Sequence, residues 1–202
     1  SVVVAPPQGQ IHPRVTLLRG VGLHMPSSLP LPVPTPEQRE KLVAYAQLLR
    51  EWNPRINLVA PGTLAQLEAR HIDDSAQLVP HISPHPVEVL DVGSGAGLPG
   101  LILAILLPGH SFTLAERDKR KAAFLRTAVF SLKLTNVVVH DDAVALIKKQ
   151  YGIITCRAWA SLSDIVKITS PLLASGGHWL LLKGRAFREE LRACETSFHL
   201  TA

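Results

Sequence analysis

The sequence predicts an α/β fold: a mostly parallel, twisted sheet with helices on both faces and a helical extension ahead of it. Three observations predict this. Apolar runs of strand length at Val87–Val92, Phe112–Ala115, Val137–His140, Ile153–Cys156 and Trp179–Lys183 alternate with helix-period segments, the pattern of βαβ units. A glycine-rich turn follows the first run and leads into an apolar helix-like stretch. The chain has 202 residues, 47% hydrophobic and 18% charged, the length and composition of a single globular domain rather than a disordered chain.

Taken in order, residues 1–36 hold eight of the sixteen prolines. Proline fixes φ and lacks an amide hydrogen, so residues 1–35 are expected to form an extended, poorly ordered arm with little ladder or helix. Thr35 is a good N-cap, Pro36 suits the first helical position and Gln38 completes a capping box. Leu42, Tyr45, Ala46 and Leu49 follow at the i, i+3, i+4, i+7 spacing of an amphipathic helix, which should stop near Asn53–Pro54. A second helix is expected from Thr63 to about Val79, so that 36–84 forms a helical segment packed on the core. Within the core, 85–202, helices are expected over Gly100–Leu107, after the cap Asp118 with Ala122, Leu125, Val129 and Leu132 on one face, and over Ala143–Lys149 and Ser163–Leu173.

Composition excludes some classes. The apolar run Leu101–Leu107 is far short of the roughly 20 residues a spanning helix needs, so no membrane partner is expected. The start, Ser1–Pro7, has no basic leader, and a cytoplasmic location is expected. Cys156 and Cys194 lack metal-ligand spacing and read as reduced thiols, with no metal site. Twenty-one Lys and Arg against sixteen Asp and Glu give a net charge of +5, compatible with a polyanionic partner but shared by many enzymes.

The informative stretch is Asp91-Val92-Gly93-Ser94-Gly95-Ala96-Gly97-Leu98-Pro99-Gly100. Glycines between a strand and a helix let the backbone turn tightly and let a ligand approach the main chain. Gly95, Gly97 and Gly100 satisfy G-x-G-x-x-G, a weak signal alone. Gly93, Gly95 and Gly97, with an acid two residues earlier, also satisfy the pattern of enzymes using S-adenosylmethionine. Glu116, at the end of the second core strand, stands about twenty residues on, where an acid accepts the ribose hydroxyls of an adenosine-containing cofactor. Asp141 and Asp142 end the third, where adenine is commonly held. Two cofactors fit this grammar. A nicotinamide dinucleotide places its pyrophosphate on the helix N-terminus. S-adenosylmethionine carries no phosphate, and its cationic amino-acid portion suits a carboxylate at Asp91, which favours the methyl donor.

Further blocks extend the pattern: Trp52-Asn53-x-x-Ile56-Asn57-Leu58, Arg70-His71-x-x-Asp74-Ser75, Lys119-Arg120-Lys121-x-x-Phe124-Leu125, Arg157-Ala158-x-Ala160-Ser161-Leu162 and Leu182-Lys183-Gly184. With the Gly-Leu-Pro-Gly ending of the turn, they make the chain resemble the bacterial 16S ribosomal RNA (guanine-N7) methyltransferase G family, also called glucose-inhibited division protein B, from about residue 36 to 185. The resemblance implies a Rossmann-like class I methyltransferase fold. It implies transfer of a methyl group from S-adenosylmethionine, leaving S-adenosylhomocysteine, to N7 of a guanine near the decoding centre. The partner is then 16S ribosomal RNA or the small ribosomal subunit particle, and the chain is expected to act as a monomer.

By position, Asp91, Gly93, Ser94, Gly95, Gly97, Leu98, Glu116, Asp142, Ala143 and Arg157 are expected at the cofactor, and Arg157 and His71 at the chemistry, with Asn57 and Lys183 further candidates. Arg55, Arg70, Lys119, Arg120, Lys121, Lys183 and Arg185 are expected to face RNA phosphates. Two features depart from the family. Its common Arg-Ala-Glu after the third strand reads Asp142-Ala143-Val144 here, and its sheet usually ends in a further pair of strands, so the core is expected to lack its last strand or strands and to expose an edge. Other readings are a nicotinamide-dependent oxidoreductase, a non-catalytic RNA-binding relative and a small-molecule methyltransferase.

Overall fold

Thr35 opens helix α1 (Pro36–Ile56) through the expected capping box: its hydroxyl accepts the Gln38 N–H at 3.2 Å and its N–H donates to Gln38 Oε1 at 2.9 Å. In this computed structural model, which describes residues 2–4, 14–19, 33–157 and 159–183, Tyr45, Ala46 and Leu49 form the buried stripe of that helix. The helix passes the expected stop and carries Pro54 in its last turn, ending at Asn57 in the left-handed conformation. Asn53, buried, caps the exit by accepting the Val59 N–H at 2.8 Å.

Among the described residues the sheet has seven strands in the order β1-β2-β7-β6-β3-β4-β5: β1 (Val2–Val4), β2 (Arg14–Arg19), β3 (Glu88–Val92), β4 (Ser111–Ala115), β5 (Val137–His140), β6 (Tyr151–Arg157) and β7 (Leu173–Lys183). Only the β1–β2 pairing is antiparallel; the other five are parallel. Side chains alternate between faces as the pleat requires. Val89, Ile153, Leu180 and Leu182 join the apolar cluster under α1, α3 (Gly100–Leu106) and α4 (Lys119–Ser131), whereas Leu90, Ile154, Trp179 and Leu181 join the cluster under α5 (Leu162–Thr169). From β3 the chain winds outward through β4 to β5, then returns to the other side of β3 for β6 and β7. That reversal opens a crevice beyond the carboxyl ends of β3 and β6, where open α/β sheets bind ligands.

Three expectations need correction. The second helix is broken into a 3₁₀ turn (Pro61–Gln66), a π turn (Glu68–Ile72), the short α2 (Asp73–Ala76) and another 3₁₀ turn (Val79–His81). Within it the Ser75 hydroxyl donates to the His71 carbonyl at 2.7 Å and the His71 ring is held by Thr63, and Ser75 and His71 are buried rather than left on a helix surface. Ala143–Lys149 forms only one 3₁₀ turn (Val144–Leu146) with no side-chain cap, because Val144 and Ile147 are both drawn onto the cluster under α5.

The third correction concerns the N-terminal arm. Arg14-Val15-Thr16-Leu17-Leu18-Arg19 is a proline-free window within the proline-rich segment, and it pairs in parallel with β7 from Arg14↔His178 to Arg19↔Lys183. Val15 and Leu18 are 3% and 6% exposed, one in each apolar cluster. The edge of β7 expected to be bare is therefore covered by β2. Leu18→Ala is expected to lower the unfolding free energy by about 2–5 kcal/mol, read from urea melts; an unchanged midpoint would show that β2 does not dock.

Candidate active site

Beyond Val92 the chain turns through Gly93, Gly95 and Gly97, at φ 67°, 54° and 83°, values that favour glycine. The Gly93 and Ser94 N–H groups donate to the Ala115 carbonyl at 2.9 and 3.2 Å, laying the turn across the end of β4. Asp91 holds it from beneath. Its side chain is 0% exposed, Oδ1 accepts the Thr155 hydroxyl at 3.0 Å and Oδ2 accepts the Gly100 N–H at 3.3 Å. Burial pushes its carboxyl up to about 7, against the opposing pull of the Ser94 and Thr155 hydroxyls.

Above the turn, Glu116 closes a cleft of roughly 470 Å³. One oxygen accepts the Gly95 N–H at 2.9 Å and the other the Asp118 N–H at 2.8 Å, so the carboxylate is fixed by backbone while each oxygen keeps a lone pair. Of the expected cofactor residues, Gly93, Gly95, Glu116, Asp142 and Ala143 line this cleft. Arg117, Lys121, Val144, Trp159 and Ile168 line it as well. Arg117 and Val144 follow directly on expected cofactor residues, and that adjacency was the only signal for them, whereas Lys121 was expected at RNA and Trp159 and Ile168 carried no signal.

Several expected residues act elsewhere. Asp91 was expected to meet the cofactor; its carboxyl instead faces Thr155 and Gly100 and does not line the cleft. Ser94 and Leu98 are buried, the Ser94 hydroxyl donating to the Asp91 carbonyl at 2.9 Å. A Cβ at Gly97 would run into the Leu101 side chain. None of the three lines the cleft: Ser94 and Leu98 pack beneath the turn, and Gly97 makes room for Leu101.

Arg157, at the end of β6, reaches the helical extension rather than the lining of the cleft. Its Nη2 donates to His71 Nδ1 at 2.6 Å; His71 Nε2 donates to Thr63 Oγ1 at 2.8 Å, whose hydroxyl donates to the Ala60 carbonyl at 2.7 Å. This chain is complete only for the neutral ring protonated at Nε2. Burial, followed by Arg157 and Arg70, holds the His71 pKa down to about 4. Expected as a catalytic group, His71 is neutral near neutral pH, and both its ring nitrogens are engaged, by Arg157 and by Thr63. Burial lowers the Arg157 pKa, and Asp74 and Tyr45 oppose that shift. Arg157 Nη1 is buried and has no hydrogen-bond partner among the described residues. Tyr45 joins α1 to the turn by donating to the Ala96 carbonyl at 2.9 Å.

The expected phosphate-facing cations divide. Lys119 and Arg126 pair with Asp141 at 3.5 and 3.1 Å, and Arg120 pairs with Asp118 at 3.3 Å. Such exposed pairs are weak, because solvent screens both charges. Lys121 lines the cleft instead. Arg55, Arg70 and Asn57 are exposed. Arg185 and the side chain of Lys183 lie outside the described residues. Among the described residues no helix is long and apolar enough to cross a membrane, and no His, Cys, Asp and Glu group could hold a metal ion.

The profile of a family described as rRNA small subunit methyltransferase G (GidB) matches residues 38–202, leaving β2 outside it. The ribosomal RNA small subunit methyltransferase G of Leptothrix cholodnii is 37% identical over 168 residues, 81% of this chain and 77% of the relative. The protein of the same name from Acidiphilium cryptum is 42% identical over 163 residues, 80% of this chain and 75% of the relative. Among solved structures, a ribosomal protein L11 methylase from Lactobacillus delbrueckii subsp. bulgaricus is similar with a TM-score of 0.52 at 13% identity, over 62% of this chain and 67% of that one. Coclaurine N-methyltransferase bound to N-methylheliamine and SAH gives 0.52 at 15% identity, over 73% of this chain and 51% of that one. The fold is the Rossmann-like fold of class I methyltransferases.

Unfolded, His71 takes up a proton near its ordinary 6.5; folded, it does so only near 4. Between those values the unfolded chain binds more protons, so stability falls as pH drops from 6.5 towards 4. Asp91, raised from 3.8 to about 7, contributes the opposite slope over its own window. Replacing His71 by Gln should therefore flatten the acid-side loss in a series of denaturant melts, and parallel profiles for the two proteins would refute the assignment of a neutral His71.

Proposed function

The chain belongs to the rRNA small subunit methyltransferase G family, and we propose that it transfers the methyl group of S-adenosylmethionine to N7 of a guanine in 16S ribosomal RNA near the decoding centre. The observation that carries this reading is a cleft at the carboxyl ends of the strands whose fixed carboxylate, Glu116, retains acceptor capacity, together with Arg157 at the end of β6, whose Nη1 has no partner among the described residues.

The residues fit the cofactor. Two ribose hydroxyls can donate to the free lone pairs of Glu116 while Gly95 and Asp118 hold the carboxylate still. Asp142 and Ala143 stand where adenine is expected, with Val144 supplying an apolar wall. A dinucleotide fits less well, since its pyrophosphate needs N–H groups at the start of a helix and the Gly100 N–H is already committed to Asp91.

Bound S-adenosylmethionine supplies a methyl group on a positively charged sulfur, ready for in-line displacement. Guanine N7 carries a lone pair and no proton, so this chain need not furnish a general base, consistent with a neutral His71 whose two nitrogens are both engaged. Catalysis then rests on placement, which can supply about 7–11 kcal/mol. Arg157 is the placing residue. Its Nη1 donates to guanine O6 or to a phosphate; a donor held on N7 would block the attacking lone pair. The chain from Ala60 through Thr63 and His71 keeps the guanidinium from swinging. Exposed Arg55 and Arg70, with Lys119 and Arg120, meet RNA phosphates on ribosomal RNA or on the small-subunit particle, an attraction that weakens steeply with salt. The chain acts as a monomer.

Labelled donor should be incorporated into undermodified small-subunit particles or their naked RNA, with the product mapped to N7 of one guanine. Arg157→Ala should abolish turnover while leaving S-adenosylhomocysteine affinity within a few-fold, and Glu116→Ala should cost that affinity at least about tenfold through the loss of charge-assisted hydrogen bonds. Equal loss of binding and turnover in Arg157→Ala would move Arg157 into the cofactor site; incorporation at another base or none would overturn the assignment.

A further inference from the structure

Trp159 occupies a position that the Arg157-Ala158-x-Ala160-Ser161-Leu162 block leaves unspecified, two residues beyond Arg157. Its ring lies against Gly93: a Cβ on that glycine would stand 2.7 Å from Trp159 Cγ, so the first glycine of the turn makes room for an indole. The same side chain lines the cleft with Gly95 and Glu116, and it is braced by the apolar cluster under α5.

The ionisable groups of the cleft cancel. Glu116 and Asp142 are balanced by Arg117 and Lys121. Glu116 is further bound to two backbone N–H groups. Asp91, the acid that sequence pattern offers as counter-charge, is sealed beneath the turn, where its oxygens are taken up by Thr155 and Gly100 and burial pushes its carboxyl up to about 7. A cation arriving at Gly93 thus meets an aromatic ring where no uncompensated carboxylate stands.

We propose that Trp159 is a specificity-determining residue that holds the sulfonium of the methyl donor against its indole ring, and so binds the cationic donor in preference to the neutral thioether product. The inference rests on the cofactor reading above. The electron-rich face of tryptophan attracts cations within about 6 Å, more strongly when water is excluded. On transfer the S–CH₃ bond breaks, its electron pair stays on sulfur and the methyl carbon bonds to N7 through the nitrogen lone pair. Sulfur then loses its charge and Trp159 loses its grip, which favours release of S-adenosylhomocysteine.

Calorimetric titration of the full chain, Trp159→Phe and Trp159→Leu with S-adenosylmethionine and with S-adenosylhomocysteine tests this. Trp159→Leu should weaken donor binding about fivefold to tenfold and product binding less than twofold, with Trp159→Phe intermediate, as ring electron density predicts. Equal weakening for both ligands would make Trp159 an apolar wall and overturn the proposal, as would no change for either. Trp159→Phe retains an aromatic side chain and keeps the comparison open if the leucine variant fails to fold. Failure of the unaltered chain to bind either ligand would instead remove the cofactor reading, and this inference with it.

Discussion

Asp91 lies near the end of β3, cut off from solvent, and its two oxygens tie together three elements beneath the glycine turn: β3, which carries it, β6 through the Thr155 hydroxyl, and α3 through the Gly100 N–H. A buried carboxyl is costly unless its partners are fixed; here one is a backbone amide and the other a buried hydroxyl on the adjacent strand. The cost of ionising it in this setting appears as its raised pKa. Because Asp91 anchors the underside of the turn, the upper side is left to face Glu116, and the cleft exists as a consequence.

Polar contacts of the same kind carry the helical extension into the site. Tyr45 of α1 reaches the carbonyl of Ala96 in the turn, and the π turn carries His71 inward to Arg157. A π turn adds a residue to a helical turn and redirects the side chains that follow, a device often found at functional sites. The extension is thus bonded to the turn and to Arg157 rather than appended to the core. It orients the guanidinium whose remaining N–H has no partner within the described residues.

Much of this was legible in the sequence where local chemistry decides the outcome. The capping box at Thr35, the cap at Asp118, the strand alternation and the turn at Gly93–Gly100 all follow from residue type and spacing over a few positions. Glu116 was legible because a fixed separation from the glycines places it at the next strand end. What was hidden depends on tertiary direction. Asp91 could be assigned to the cofactor until its partners Thr155 and Gly100 were seen to draw it below the turn. His71 reads as a candidate for the chemistry in isolation; burial and two neighbours at hydrogen-bond distance hold it neutral. The pairing of Lys119 and Arg126 with Asp141 joins residues on different elements. The docking of β2 escaped a reading that averaged proline content over residues 1–36, since the strand lies in a window that proline does not interrupt.

A crystal structure of the chain with S-adenosylhomocysteine tests the division of labour between the two carboxyl groups most directly. The ribose diol should sit on Glu116, which keeps its bonds to Gly95 and Asp118, and Asp91 should remain below the turn without touching the ligand. A ligand amino group on Asp91, or an adenosine lying away from Glu116, would contradict the account.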